Sequence, residues 1–509
     1  MSDQIVIFVH GWSVTDTDTY GELPERLRQE AAEQNIRIRV EEIFLGRYIS
    51  FHDEVRLPDI SRAFQAALSD NPIAKALKGN RRFACITHST GGPVIRDWWN
   101  RYYPNPDSGF CPMSHLIMLA PANYGSALAQ LGKGRIGRLK SWFGGVGPGQ
   151  GVLDWLELGS NEAWELNTAW IFGDANRIGP DGVFPFVLTG QSIDRQFYDN
   201  LNTYTGEMGS DGVVRAAAAN LQGHYLKLVQ GPPRLLRGKL VAPRLVVEKN
   251  SVAPETAFRI ISGKSHSGDK MGIMRSVKAK RTERKSKETI NCILACLLVG
   301  DTAAYTKLCA SFRKETATVQ EKEKLEIEKH LFLRTTYFLH DCCSMVIFRV
   351  RDDQGYSVTD YDLTLTAGPQ NDANHLPEGF FVDRQRNRLN PEIISYFVST
   401  DVMLGCSPVK DGSKTIRKKL PGAKMLGFSL IARPDRKGFV HYLPCSISAE
   451  TDLLNKVIQP NSTTLVDICL RRIVHNKVFQ ADIPSRPHSG NFKDTPPGKG
   501  VVDDKTDSC

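Results

Sequence analysis

Phe83-Ala84-Cys85-Ile86-Thr87-His88-Ser89-Thr90-Gly91-Gly92-Pro93 is the stretch that decides the fold. An apolar, β-branched run leads straight into Ser89, and a helix starts at once, with Pro93 tolerated in its first turn. A sharp strand-to-helix turn of this kind lifts a serine hydroxyl above the end of a sheet and leaves little room for side chains. Gly91, two residues after the serine, meets that need. Thr87, two residues before it, departs from the G-x-S-x-G pattern and adds bulk.

Outward from that turn, short β-rich runs at 5–9, 37–43, 83–87, 115–119, 183–189 and 257–262 alternate with helical stretches. That rhythm predicts an α/β domain with a mostly parallel sheet over residues 1–288. It breaks between about 126 and 180. There Trp142, Trp155, Trp164 and Trp170 and a cluster of glycines suggest an insertion over the sheet, a tryptophan-rich lid. A helix over 288–310 and a charged helical stretch over 313–330 form an expected connector spanning 289–330. From 331 to 480 apolar and polar residues alternate: Tyr361, Leu363 and Leu365 against Asp362, Thr364 and Thr366, and Val466, Ile468 and Leu470 against Asp467, Cys469 and Arg471. A smaller β-sandwich-like domain is expected there. Residues 481–509 have the composition of a disordered tail.

Composition narrows the classes further. The 509 residues are 41% hydrophobic and 24% charged, a globular balance and too long for one ordinary core. No apolar run approaches the ~20 residues that span a bilayer. The strand at 5–9 leaves no place before it for a cleavable leader, so the expected location is cytoplasmic, or exported without a cleavable signal peptide. Net charge is +9, a mild bias toward anionic surfaces. The eleven cysteines lack paired C-x-x-C spacing and read as reduced thiols, not a metal framework.

A serine nucleophile needs a base, an orienting carboxylate and donors for the oxyanion. Val9-His10-Gly11-Trp12 follows the first strand, where an H-G turn aims a backbone N–H at developing negative charge. The two expected donors are the amides of Trp12 and Thr90. His10 and His88 read as structural neighbours. In a serine, acid, base chain order, Ser210-Asp211-Gly212-Val213-Val214 supplies the favoured acid, with Asp194 and Asp199 in reserve. His266, in the loop after the strand at 257–262, is the favoured base. His224, in a strand-like run with Leu226 and Leu228, is the alternative.

Taken together, H10-G11-W12, T87-H88-S89-T90-G91, S210-D211-G212-V213-V214 and H266-S267-G268 resemble bacterial α/β-hydrolase lipases and phospholipases over residues 1–280. The D-G-V-V turn is similar to the acid segment of bacterial lipases. Lipase effectors of the bacterial type VI secretion system are similar in joining such a domain to extra modules without a signal peptide. The resemblance implies a serine carboxylic-ester hydrolase with Ser89, Asp211 and His266 as triad, acting on acyl esters of membrane lipids, and a bacterial effector as one role.

Tryptophan favours the water–lipid boundary, and a basic segment (Lys270, Arg275, Lys278, Lys280, Arg281, Arg284, Lys285 and Lys287) could hold anionic headgroups at a membrane surface; the alternative is a lid packed on its own core and a solvated helix face. That segment lacks interleaved aromatics, so no nucleic acid is expected as a partner. The chemistry needs no metal or organic cofactor, and the β-rich domain is expected to bind a partner of unknown kind. Two other readings stay open: a soluble small-ester hydrolase or thioesterase, and a non-catalytic binding protein on a hydrolase scaffold.

Overall fold

The computed structural model describes residues 4–10, 19–50, 52–79, 81–105, 109–132, 149–173, 177–193, 208–232, 234–236, 239–241, 243–280, 285–328, 335–433 and 439–474. The chain opens with β1 (Gln4–His10), α1 (Leu23–Glu33), β2 (Ile38–Phe44), α2 (Leu57–Leu68), β3 (Phe83–His88), α3 (Gly91–Tyr102) and β4 (Met113–Leu119). Next come α4 (Gln150–Leu156), α5 (Asn161–Ile171), β5 (Phe184–Thr189), β6 (Gly223–Gln230), β7 (Leu245–Val252), β8 (Ala257–Ile260), α6 (Lys285–Leu297) and α7 (Thr302–Lys322). The β-rich part adds β9 (Cys343–Asp352), β10 (Tyr361–Ala367), β11 (Phe381–Arg386), β12 (Ile393–Ser399), β13 (Met425–Ala432), β14 (Cys445–Glu450), α8 (Thr451–Leu454) and β15 (Thr463–Leu470).

The first sheet runs β8-β5-β4-β3-β1-β2 with every pairing parallel. Parallel strands covered on both faces read as unbroken apolar runs, and β3 and β5 are buried at every residue. Ile5, Ile7 and Val9 face one core with Phe64 of α2 and Trp98 of α3. Val6 and Phe8 face the other with Leu27 of α1, Ile293 of α6 and Phe312 of α7. This is an α/β-hydrolase fold, with Ser89 where β3 turns into α3.

The charged stretch expected as a connector has a different place. α7 lies along the outer edge of the first sheet. Tyr305 donates its hydroxyl to Pro185 O at 2.7 Å and accepts from Ala257 N at 3.2 Å, while Thr316 Oγ1 accepts from Ile260 N at 3.0 Å. Side chains thus satisfy the free amides of edge strand β8, one of the ways a sheet edge is closed. The chain then forms a strand at Leu325–Glu328 paired with Thr336–Leu339, so the helical reading of 313–330 stops at Lys322.

The second sheet is mixed and runs β11-β12-β9-β15-β6-β7. Two of its strands, β6 and β7, come from the 1–288 stretch assigned in sequence to the first domain. A three-stranded antiparallel sheet, β10-β13-β14, covers its outer face. Central strand β9 explains the join. Met345 and Ile347 point into the hydrolase core while Val346, Phe348 and Val350 point into the sandwich core. β9 therefore alternates between two apolar cores, not between core and water.

The described part of the insertion lies between these two bodies. Trp155, Trp164 and Trp170 are buried, where the sequence reading put them at a lipid-facing surface. Trp170 donates to Leu221 O at 3.1 Å, and Arg349 of β9 lies over the Trp164 ring at 4.2 Å. Trp12, Trp142 and the tail 481–509 lie outside the described residues. Among the described residues no cysteine forms a disulfide, and no helix is long and apolar enough to cross a membrane.

Candidate active site

Ser89 has φ +53°, a left-handed conformation rare for a residue with a side chain. The neighbouring backbone holds it there. Its N–H donates to Leu119 O at 3.0 Å, and its carbonyl accepts from Gly92 N at 3.2 Å and Ala122 N at 3.3 Å. Space dictates the glycines that follow. A Cβ on Gly92 would stand 2.7 Å from Pro121 Cβ, and one on Gly91 would stand 3.3 Å from Thr87 Cβ. Gly92 is thus the tighter of the two, although the pattern singled out Gly91. Thr87 fits fully buried, and among the described residues its hydroxyl oxygen makes no hydrogen bond.

Asp211 owes its orientation to the D-G-V-V turn. Gly212 takes φ +97°, which brings the amides of Val213 and Val214 onto Asp211 Oδ1 at 3.0 and 2.8 Å. Oδ2 is left to His266 Nδ1 at 2.9 Å, and His266 N donates to Asp211 O at 2.9 Å. His266 is therefore fixed through both backbone and ring. Its Nε2 lies 3.0 Å from Ser89 Oγ. Asp211 and His266 are fully buried and Ser89 is 8% exposed, so the site meets solvent at the serine end.

The structure thus brings Ser89, His266 and Asp211 into one hydrogen-bonded line. His224 stands apart from it, in β6 of the second sheet, and among the described residues its Nδ1 has no hydrogen-bond partner. Thr90 is buried at the start of α3, and among the described residues its amide donates to no group. Trp12, the other expected donor, and Asp194 and Asp199 lie outside the described residues. No group of three or more His, Cys, Asp or Glu suited to a metal occurs among the described residues.

The His88 ring lies against the base at a tilt of 48°, with centroids 4.7 Å apart, and its Nε2 lies 3.1 Å from His266 O. Burial, with the neighbouring His266 adding to it, pushes the His88 pKa well below the usual histidine value. The ring is therefore neutral and donates Nε2–H to that carbonyl, bracing the loop that carries the base.

Sequence reading missed Glu323. Its Oε1 accepts from Ser262 Oγ at 2.6 Å and Gly263 N at 2.9 Å, and its Oε2 accepts from Gln191 Nε2 at 2.9 Å. Glu323 sits at the end of α7 and ties down the loop that presents His266. A carboxylate 60 residues from Gly263 gives no local signal of this contact. The second sheet supports the acid side: Thr463 Oγ1 donates to Ala217 O at 2.8 Å and Asn220 Nδ2 to Asn461 O at 2.7 Å.

No family model matches the chain, and no curated protein matches it either. Among solved structures it is similar to phospholipase PlaB from Legionella pneumophila, at 42% sequence identity. That alignment covers 99% of this chain and 100% of the other, with a TM-score of 0.82. A second structure, of phospholipase PlaB from Legionella pneumophila in complex with thio-NAD, aligns at 42% identity over 98% and 100%, with a TM-score of 0.81.

Proposed function

Because the chain belongs to the family of the Legionella pneumophila phospholipase PlaB, we propose that Ser89, His266 and Asp211 are the catalytic triad of a lipid-ester hydrolase. The protein is a lipase/phospholipase with the α/β-hydrolase fold, and its substrate is a lipid or ester. The single observation that carries the site assignment is the continuous line from Ser89 Oγ to His266 Nε2 and from His266 Nδ1 to Asp211 Oδ2, at 3.0 and 2.9 Å.

The geometry supports two acyl transfers. Ser89 Oγ attacks the acyl carbonyl carbon as its proton passes to His266 Nε2, and the Asp211 carboxylate stabilises the imidazolium that forms. The tetrahedral oxyanion takes its hydrogen bonds from the amides of Thr90 and Trp12. As the intermediate collapses, His266 returns the proton to the departing alcohol and leaves an acyl group on Ser89. Water, deprotonated by His266, then attacks the acyl-enzyme and releases a fatty acid. Its basic segment near 270–287 meets anionic headgroups at a membrane surface. Two of those cations already pair with nearby acids: Arg275 with Asp269 at 2.9 Å and Lys278 with Glu22 at 3.9 Å.

The test is labelling by a fluorophosphonate probe alongside release of fatty acid from phospholipid vesicles. Wild type should do both, and Ser89→Ala and His266→Ala should do neither. Undiminished labelling of Ser89→Ala would refute the assignment. Turnover of soluble short-chain esters with none on vesicles would favour the small-ester reading.

A further inference from the structure

The β-rich domain holds a cavity that the hydrolase site does not use. The second sheet and β10-β13-β14 face each other, and near α8 their side chains fail to meet. An open cavity of about 420 Å³ remains. One wall is Phe348, Tyr396 and Val466, and the other is Leu426 and Phe428, all buried. At the rim Val247 and Leu453 are 55% and 58% exposed. Lys456, also exposed, is the one charged side chain among the described lining residues.

Protein cores normally close such space with side chains. An internal void that stays open is wetted when its walls are polar, whereas apolar voids take up apolar guests. This one has the size (roughly 300–1,000 Å³) and the mostly apolar wall of a small-molecule site, with a few polar groups to orient the guest. The charge at the mouth selects the sign of the head group: a cation at the rim suits an anion. We propose that this cavity binds a single fatty-acyl chain, its tail between the sheets and its carboxylate at the rim with Lys456. The choice of guest rests on the lipase reading, since that reaction releases a fatty acid at each turnover; the cavity itself does not depend on it.

The test is calorimetric titration of the full-length Ser89→Ala protein, which turns over no ester. The probes are octanoate, decanoate and dodecanoate below their micellar concentrations, with lauroyl lysophosphatidylcholine in parallel. One chain should bind per protein, tightening about fourfold per added methylene until the cavity is full. Leu426→Trp, which fills the cavity, and Leu453→Glu, at an exposed rim position that folding tolerates, should each weaken binding at least tenfold. Lys456→Glu should weaken dodecanoate and spare the lysolipid. In the active protein, the rim substitutions should leave hydrolysis of a soluble short-chain ester unchanged. Binding of dodecanoate identifies the free product as the guest, and binding of the lysolipid in preference identifies a chain still attached to a membrane lipid. Either result supports an acyl site if Leu453→Glu removes it. Absence of binding by both probes, or binding indifferent to Leu426→Trp and Leu453→Glu, overturns it. A wild type that binds dodecanoate in this way but hydrolyses nothing would count against the hydrolase reading alone.

Discussion

The guanidinium of Arg215 lies over the ring of Phe397, 3.5 Å from its centroid, and its Nη2 donates to Asp383 Oδ2 at 3.0 Å. Arg215 ends the turn that begins at Asp211, whereas Phe397 and Asp383 stand on β12 and β11 of the second sheet. Asp211, the acid of the proposed triad, is therefore positioned partly by the β-rich domain. That domain is a structural part of the hydrolase site as well as the wall of its own cavity.

Arg215→Ala should lower stability by about 2 kcal/mol, the scale of a desolvated cation–π contact, and reduce kcat more than it raises KM. Arg215→Lys should recover little, because an ammonium cannot reproduce the flat stacking of guanidinium on the ring. Thermal unfolding and ester-hydrolysis kinetics on the three proteins check this. Equal kcat in all three would dissociate the second sheet from the acid turn.

Asp211→Asn should fold normally, because an amide oxygen can still accept from Val213 and Val214. Its kcat should drop by about 10⁴, through loss of the correct imidazole tautomer and of the charge that stabilises imidazolium. Unchanged turnover in steady-state assays would reopen the case for another acid.

Glu323→Ala should slow turnover by about 10²-fold, the cost of a displacement of order 1 Å at a reacting group. Glu323→Gln retains an acceptor for Ser262 Oγ and Gly263 N and should lose much less. A structural role without any link to the His266 loop would change the melting temperature of both variants and leave kcat alone.

Thr87→Val should raise stability by about 1 kcal/mol, since it removes a buried hydroxyl with no partner among the described residues and preserves the shape. Activity should be retained. Denaturant unfolding measures the gain, and a loss of stability would mean that the hydroxyl is satisfied in solution.

His115 reports on pH. Its Nε2 lies 2.8 Å from Val299 O, and its ring stacks on Phe186. Burial, with Arg82 acting in the same direction, pushes its pKa down to about 4 from 6.5. The unfolded chain then binds a proton that the folded chain does not. This contribution to stability is complete above pH 6.5 and is lost as pH falls from 6.5 toward 4, about 3 kcal/mol at most. In His115→Phe the fall in stability over that window should be shallower, as measured by unfolding at a series of pH values.

What could be read from the sequence, and what could not, follows from the range of the interactions. The turn at Ser89, the D-G-V-V turn at Asp211 and the loop after β8 are local: each joins a strand end to a few small or turn-forming residues. They carry their own signature. Most strands of the first sheet were legible for a similar reason, as apolar runs buried on both faces, whereas edge strand β2 is half exposed and carries Glu41 and Glu42. β6 was legible as a strand through His224, Leu226 and Leu228, but one of its two partners is β15, more than two hundred positions later, and no local pattern specifies that pairing. The tryptophans misled because an indole suits a membrane boundary and a domain interface equally well. Glu323 and Arg215 act on the site through contacts of long sequence separation, and an isolated carboxylate or guanidinium in a sequence looks like any solvated charge.

The closure of the β8 edge by α7 bears on how the protein is made. When a ribosome has released the first 288 residues, serine, acid and base have all emerged, yet the outer strand still shows its bare amides. Glu323 has not yet arrived to hold the His266 loop, and Thr463, which braces the acid side, comes later still. The contacts that brace the candidate site are thus complete only in the last stages of synthesis.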